Sequence, residues 1–193
     1  MDLVLLYKRL VLLVTKPAGF WVQVKEEDIP SSEVRRSFLM PILILVTLSS
    51  FAGTYLYSYN SLSVIYPLLK GLEYFLILFI TIELVAYILS EIVTYLLKIR
   101  ITAEIYKLVA YSFAPFMVMM IISKIFSSLL FLNLLGLYGI LVLWMGIDIM
   151  IGGDNMFRIR LASLIATTTI VFYLGIRWII SALVEGLYFT IFG

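Results

Sequence analysis

The chain contains no cysteine and no histidine in its 193 residues. Disulfides, thiolate nucleophiles, Cys/His zinc sites, iron–sulfur ligation and serine–histidine triads are therefore excluded. Any metal site would rest on oxygen ligands, and any proton carrier would be Glu, Asp, Tyr or Lys. Charge is scarce too. Lys and Arg number 14 and Asp and Glu 12, or 13% of the chain, about half the ~25% of soluble domains. The net charge of +2 gives no basic stripe to hold nucleic acid. No GxxxxGK or GxGxxG loop occurs, which removes a built-in nucleotide engine. Most enzyme classes leave with these residue types, and no cofactor is expected.

What remains is 63% hydrophobic with a mean hydropathy of +1.11. The fold class expected is an all-α polytopic membrane protein. Five spans are placed at about 37–57, 71–97, 105–122, 129–151 and 158–185, each near the ~20 residues that cross a bilayer or longer. They form one transmembrane domain, 37–193, behind an N-terminal segment, 1–36. That segment opens "MDLVLLYKRLVLLVTKPAGFW", too short and too interrupted by Lys8 and Arg9 to cross. Arg9 and Lys16 are seven residues apart, close to two turns, so they are expected to share a narrow polar stripe on an amphipathic interfacial helix. Phe20 and Trp21 then serve as anchors at headgroup depth. The connections expected are "YSYNSLSVIYP" (57–67), "KIRITAE" (98–104), "SKIFSS" (123–128) and "GGDNMFRIR" (152–160). The last helix can continue past Glu185 as one rod.

Lysine and arginine in the connections set orientation. Lys8, Arg9, Lys16, Lys25, Arg35 and Arg36 share a side with Lys98, Arg100, Lys107, Arg158 and Arg160, against Lys70 and Lys124 opposite. A cytoplasmic N-terminus and an outside C-terminus are expected, in the cell's inner membrane if the source is bacterial.

The second span, "GLEYFLILFITIELVAYILSEIVTYLL" (71–97), carries Glu73, Glu83 and Glu91. A central acidic residue costs roughly 2.5–3.5 kcal/mol even on insertion scales. Glu73 and Glu91 are 18 residues apart, five turns, and reach opposite interfaces. Glu83 falls between them, near the midplane. It is paired, with Arg177 as the partner available in another span, or it is held neutral, or it carries protons or a cation. Elsewhere Pro115 frees the carbonyl of Tyr111, giving a kink that can act as a hinge or notch. Asp148 can meet Arg158 or Arg160. Asn133, Gly136, Gly139 and Gly146 give the fourth span a small side for close packing, and Ala162, Ala166 and Thr169 do the same for the fifth.

Three stretches carry a family resemblance. "TKPAGFWVQV" (15–24) has a Pro-x-x-x-Trp approach before the first span, "AYSFAPFMV" (110–118) a Tyr-x-x-x-Pro element early in the third, and "LYGILVLWMGI" (137–147) an aromatic-and-glycine fourth span. In this order the chain resembles a prokaryotic-type member of the Yip-domain family, five-span membrane proteins named for interaction with Ypt/Rab GTPases. It departs from eukaryotic members in lacking their Asp-Leu-Tyr-Gly-Pro element. The resemblance implies a non-enzymatic scaffold or adaptor in the lipid bilayer. It would bind a membrane or cytoplasmic protein partner through residues 1–36 or its spans, with a homo-oligomer as a further option. The alternative, from Glu83 itself, is a small proton or cation channel or transporter.

Overall fold

The computed structural model describes residues 3–57, 64–98 and 101–192. Parts of the expected connections at 57–67 and 98–104 lie outside the described residues. Among those described the chain is helical without strands, and five helices are long and apolar enough to cross a membrane. The all-α polytopic class expected from composition is the one observed. Two shorter helices come first, α1 (Leu3–Thr15) and α2 (Pro17–Glu27). The first span is α3 (Ser31–Tyr57) and the second α4 (Ile65–Leu97). The third is α5 (Thr102–Ile125), bent at Phe113. The fourth enters as a 3-10 stretch, Ser127–Leu137, and continues as α6 (Tyr138–Met150). The fifth, α7 (Asn155–Phe192), is a single 38-residue rod.

Two prolines shape the bundle. Pro41 has no N–H to give Ser37, and its ring would press on that carbonyl. The helix answers by widening into a π turn over Arg35–Leu39, where the Met40 N–H reaches back to the Arg35 carbonyl. Such turns re-aim the side chains they contain; here Phe38 and Leu39 enter the core. Pro115 likewise leaves the Tyr111 carbonyl without its usual donor. Phe113 (φ −80°, ψ −14°) joins the two halves of α5, whose second half starts at Ala114.

The expected small side of the fourth span is used for close approach. A Cβ on Gly139 would lie 2.2 Å from the Ser112 carbonyl oxygen, beside the α5 bend, and one on Gly146 would lie 2.5 Å from the Trp21 ring. Gly53 is tighter still, with a Cβ there 1.8 Å from the Lys124 carbonyl oxygen. The fifth span differs from expectation. Ala162 is buried, but Ala166 and Thr169 line an apolar groove of about 350 Å³ with Phe113, Phe116 and Gly139. Its small stripe is not closed on by a neighbour, because α7 packs mainly along α4.

The N-terminal segment is more than an interfacial helix. α1 presents Val4, Leu5, Tyr7, Val11 and Val14 outward, as a helix at the bilayer interface would. Leu6 and Leu13 face the protein, and α1 and α2 pack on each other. Phe20 and Trp21, expected as headgroup anchors, are 1% and 0% exposed. The Trp21 Nε1–H donates to the Val142 carbonyl at 2.8 Å, and Lys25 Nζ donates to the Ile149 carbonyl at the C-terminal end of α6 at 2.7 Å. The shared Arg9–Lys16 stripe does not form either. Lys16 is exposed, whereas Arg9 turns inward to Glu27 (2.6 Å) and to the Tyr111 hydroxyl (3.3 Å).

These approaches can be tested with glycines of one kind in two settings. We expect Gly53→Ala to destabilise the protein by about 1–3 kcal/mol, since a methyl there must push a backbone carbonyl aside. Gly175→Ala, in an exposed helical turn with open space around it, should be neutral or stabilising by up to about 1 kcal/mol. Thermal unfolding in detergent, followed by tryptophan emission, separates the two; equal melting shifts would contradict the packing.

Candidate functional site

The partner of Glu83 is Arg35. The π turn aims Arg35 across to α4, where Nε donates to Glu83 Oε1 at 2.7 Å and Nη2 donates to Oε2 at 2.5 Å. The Tyr106 hydroxyl, from the start of α5, donates to the same Oε1 at 2.8 Å. The Arg35 guanidinium also lies 5.6 Å from the Tyr106 ring centroid. The carboxylate thus receives a two-pronged guanidinium and a phenol, the arrangement in which charge-assisted hydrogen bonds are strongest. Side-chain exposure is 43% for Arg35 and 24% for Glu83, so the pair lies at the edge of the bundle.

One expectation fails at this point. Arg177 is not the partner of Glu83: it is exposed on α7 and makes no ion pair among the described residues. Glu83 itself is close to the middle of its helix, Ile65–Leu97, and buried residues continue past it to Leu89 and Val93. The helix of the second span begins at Ile65, earlier than expected, and runs antiparallel to α3. Ser50 Oγ reaches the Lys70 carbonyl (3.5 Å), and Gly71 sits against the Thr47 carbonyl. In this register Glu83 faces Arg35, only four residues from the start of α3. Counted along α3, the step from Arg35 to Gly53 is about 27 Å, and Gly53 abuts Lys124.

Around Glu83 gathers a polar belt. Lys107, counted in sequence with the connection charges, is 1% exposed and lies 3.8 Å from the outward-facing Asp28. Tyr111 is fully buried and, beyond accepting from Arg9, forms the centre of an aromatic cluster. Its ring lies 4.9 Å from Phe20, 5.8 Å from Trp21 and 4.6 Å from Phe38, all edge-on. The notch expected at Tyr111 and Pro115 is thus filled by side chains. Asp148 pairs with Arg158, as one of its two expected options, and the Arg158 guanidinium lies 5.9 Å from Trp144. Glu91 is exposed.

Glu73 belongs to a second belt, at the Lys70 end. It is 3% exposed, accepts from Ser181 at 2.6 Å and pairs with Lys70 at 2.8 Å. Lys70 also reaches Glu185, 3.2 Å away on α7. Lys124 turns inward onto Tyr74, 2.5 Å from its hydroxyl. Between the belts Ile77, Leu78 and Ile82 are fully buried, in one core with Leu43, Val46 and Met117. Glu73 and Glu83 are ten residues apart, about 15 Å, with this packing between them. Among the described residues no three acidic side chains converge on a metal position.

The residues that sequence reasoning missed here are Arg35, Tyr106 and Lys107. Arg35 had one usable signal: a proline six residues on, which disturbs the helix at the arginine. Tyr106 carried none. Comparison with protein-family profiles, curated proteins and solved structures finds no match to this chain.

A double-mutant cycle of Arg35→Met and Glu83→Leu measures the pair. Because both groups are partly exposed, we expect a coupling energy near 1 kcal/mol, the upper end for accessible ion pairs. Tyr106→Phe should lower that coupling. A coupling indistinguishable from zero in detergent melts would show that the contact contributes nothing.

Proposed function

We propose that the chain is a non-enzymatic integral membrane scaffold of the Yip-domain type, with its N-terminus in the cytoplasm and its C-terminus outside. The observation that carries this reading is the state of Glu83. A carboxylate that accepts two guanidinium bonds and a phenol is a fixed counter-ion. To pick up a proton or cation it must break those bonds, and about 15 Å of packed aliphatic side chains separates it from Glu73. That is poor ground for the conduit alternative. The resemblance to the family supplies the scaffold class, and the dearth of catalytic residue types agrees with it.

The surface for a protein partner is the outward face of the docked N-terminal segment. On α2 this comprises Val22, Gln23, Lys25 and Glu26, all exposed. Truncating residues 1–36 would remove Trp21 and Val34 from the core as well, so the test uses point positions. A photo-crosslinker at Gln23 or Glu26 should capture the same protein in cells, while one at the lipid-facing Leu174 should not. In proteoliposomes under an imposed potential, we expect no proton or cation flux for wild type or Glu83→Gln. A flux abolished by that substitution would replace the scaffold with a conduit. Single cysteines in this cysteine-free chain, at Asn155 and Tyr57, should label from opposite sides, Asn155 from the cytoplasm.

A further inference from the structure

A cleft of about 780 Å³ opens between α1 and the beginning of α3, at the Arg35 end of the bundle. Leu5 forms one wall; Ser32, Glu33, Arg36, Met40 and Ile44 form the other. The order of these residues is informative. Ser32, Glu33 and Arg36 occupy the mouth, while Met40 and Ile44 follow one and two turns beyond Arg36 along the helix. From Ser32 to Ile44 the wall extends about 18 Å, and it passes from charged to apolar in the direction in which a bilayer passes from headgroups to hydrocarbon.

Arg35 and Arg36 have opposite fates. Arg35 is held by Glu83, whereas Arg36 is exposed and makes no ion pair among the described residues. Glu33 stands one turn before Arg36, on the same side of the helix, yet the two do not pair with each other. The mouth therefore offers a guanidinium and a carboxylate side by side, each with unused hydrogen-bonding capacity. A guanidinium presents a planar fork that matches two phosphate oxygens. A carboxylate accepts from a primary ammonium, which has three N–H donors, but can make no such bond to a quaternary one.

We propose that this cleft binds an ethanolamine phospholipid from the adjoining leaflet. Its phosphate sits on Arg36 with the Ser32 hydroxyl, its ammonium sits on Glu33, and one acyl chain lies along Met40 and Ile44 against Leu5. A choline lipid would satisfy Arg36 and leave Glu33 without a donor. A glycerol headgroup would bring no cation to Glu33. The site recognises a phosphate together with a primary ammonium, and it is independent of which side of the membrane the Arg35 end faces.

The test is native mass spectrometry of the full chain released from nanodiscs holding equimolar ethanolamine and choline phospholipids with matched chains. Wild type should retain the ethanolamine lipid several-fold over the choline lipid. Glu33→Gln should retain as much phospholipid in total but lose the preference. Arg36→Gln should lose several-fold of both. Neither side chain enters the core, so unchanged melting and tryptophan emission establish that the variants fold. In a third variant, Ile44→Trp should fill the trough and reduce retention of both lipids. Equal retention of the two lipids by wild type would overturn the proposal. So would a preference that survives Glu33→Gln, or a stronger retention of glycerol lipid that depends on Arg36 alone. Soluble phosphoethanolamine that displaces the lipid at equal concentration would overturn the lipid assignment.

Discussion

Tyr111 is the side chain on which the organisation of the Arg35 end depends. It sits on the third span, yet its ring is boxed by Phe20 and Trp21 from α2 and by Phe38 from the first span, and its hydroxyl accepts from Arg9 on α1. One residue thus ties together four helices. Each aromatic pair adds about 0.5–1.5 kcal/mol beyond buried area. The geometry requires two prolines to be where they are. Pro115 bends α5 just past Tyr111, and Pro41 opens the π turn that brings Phe38 inward. Both prolines disrupt their helices locally, and in both cases the displaced backbone is covered: the Ser112 carbonyl by Gly139, and the start of α3 by Val34 and Leu39 in the core.

The same widening sets the electrostatics. With Phe38 and Leu39 turned inward, Arg35 points along α4 to Glu83. The first span's proline and the second span's glutamate are therefore parts of one arrangement, although nothing in their sequence spacing connects them. Partly exposed pairs of this kind contribute little net stability. Their effect on specificity is larger: a one-turn slip of α3 against α4 would separate Glu83 from Arg35. The second belt, where Lys70 bridges Glu73 and Glu185, imposes the same penalty on slippage between α4 and α7. The two belts fix the register of three long helices whose apolar surfaces alone would tolerate several.

Composition and hydrophobic run length were enough to read the class and the five helices, because the bilayer imposes both on any chain that crosses it. The close packing of Gly139 and Gly146 was legible from residue size, and Asp148 with Arg158 from proximity across a short turn. What sequence could not show was anything set by a third element. Trp21 looks like an interface anchor when α2 is considered alone; it becomes a core residue only because Val142 offers a carbonyl and Gly146 offers space. Lys107 counts as a loop charge by position, yet its neighbours bury it. Glu83 has Arg35 as its partner because antiparallel registry with α3, which no periodicity records, brings the two level.

A carboxylate in a membrane helix invites a transport reading because the energy of placing it there demands an explanation. In this protein the explanation is local. Glu83 lies at the level where the first span begins, it faces an arginine, and its remaining capacity is met by Tyr106. Glu73 is deeper in protein but has Lys70 and Ser181. Each acid is accounted for by groups within 3 Å, and between them lie the buried Ile77, Leu78 and Ile82, with the Thr81 hydroxyl donating to the Ile77 carbonyl. Polar side chains in a conduit would instead face a shared water-filled path. Groups with capacity to spare lie elsewhere too, at the mouth of the cleft beside α1, where Glu33 and Arg36 are exposed. The two acids of the second span are thus met by neighbours inside the bundle, whereas Glu33 and Arg36 at its rim make no ion pair among the described residues.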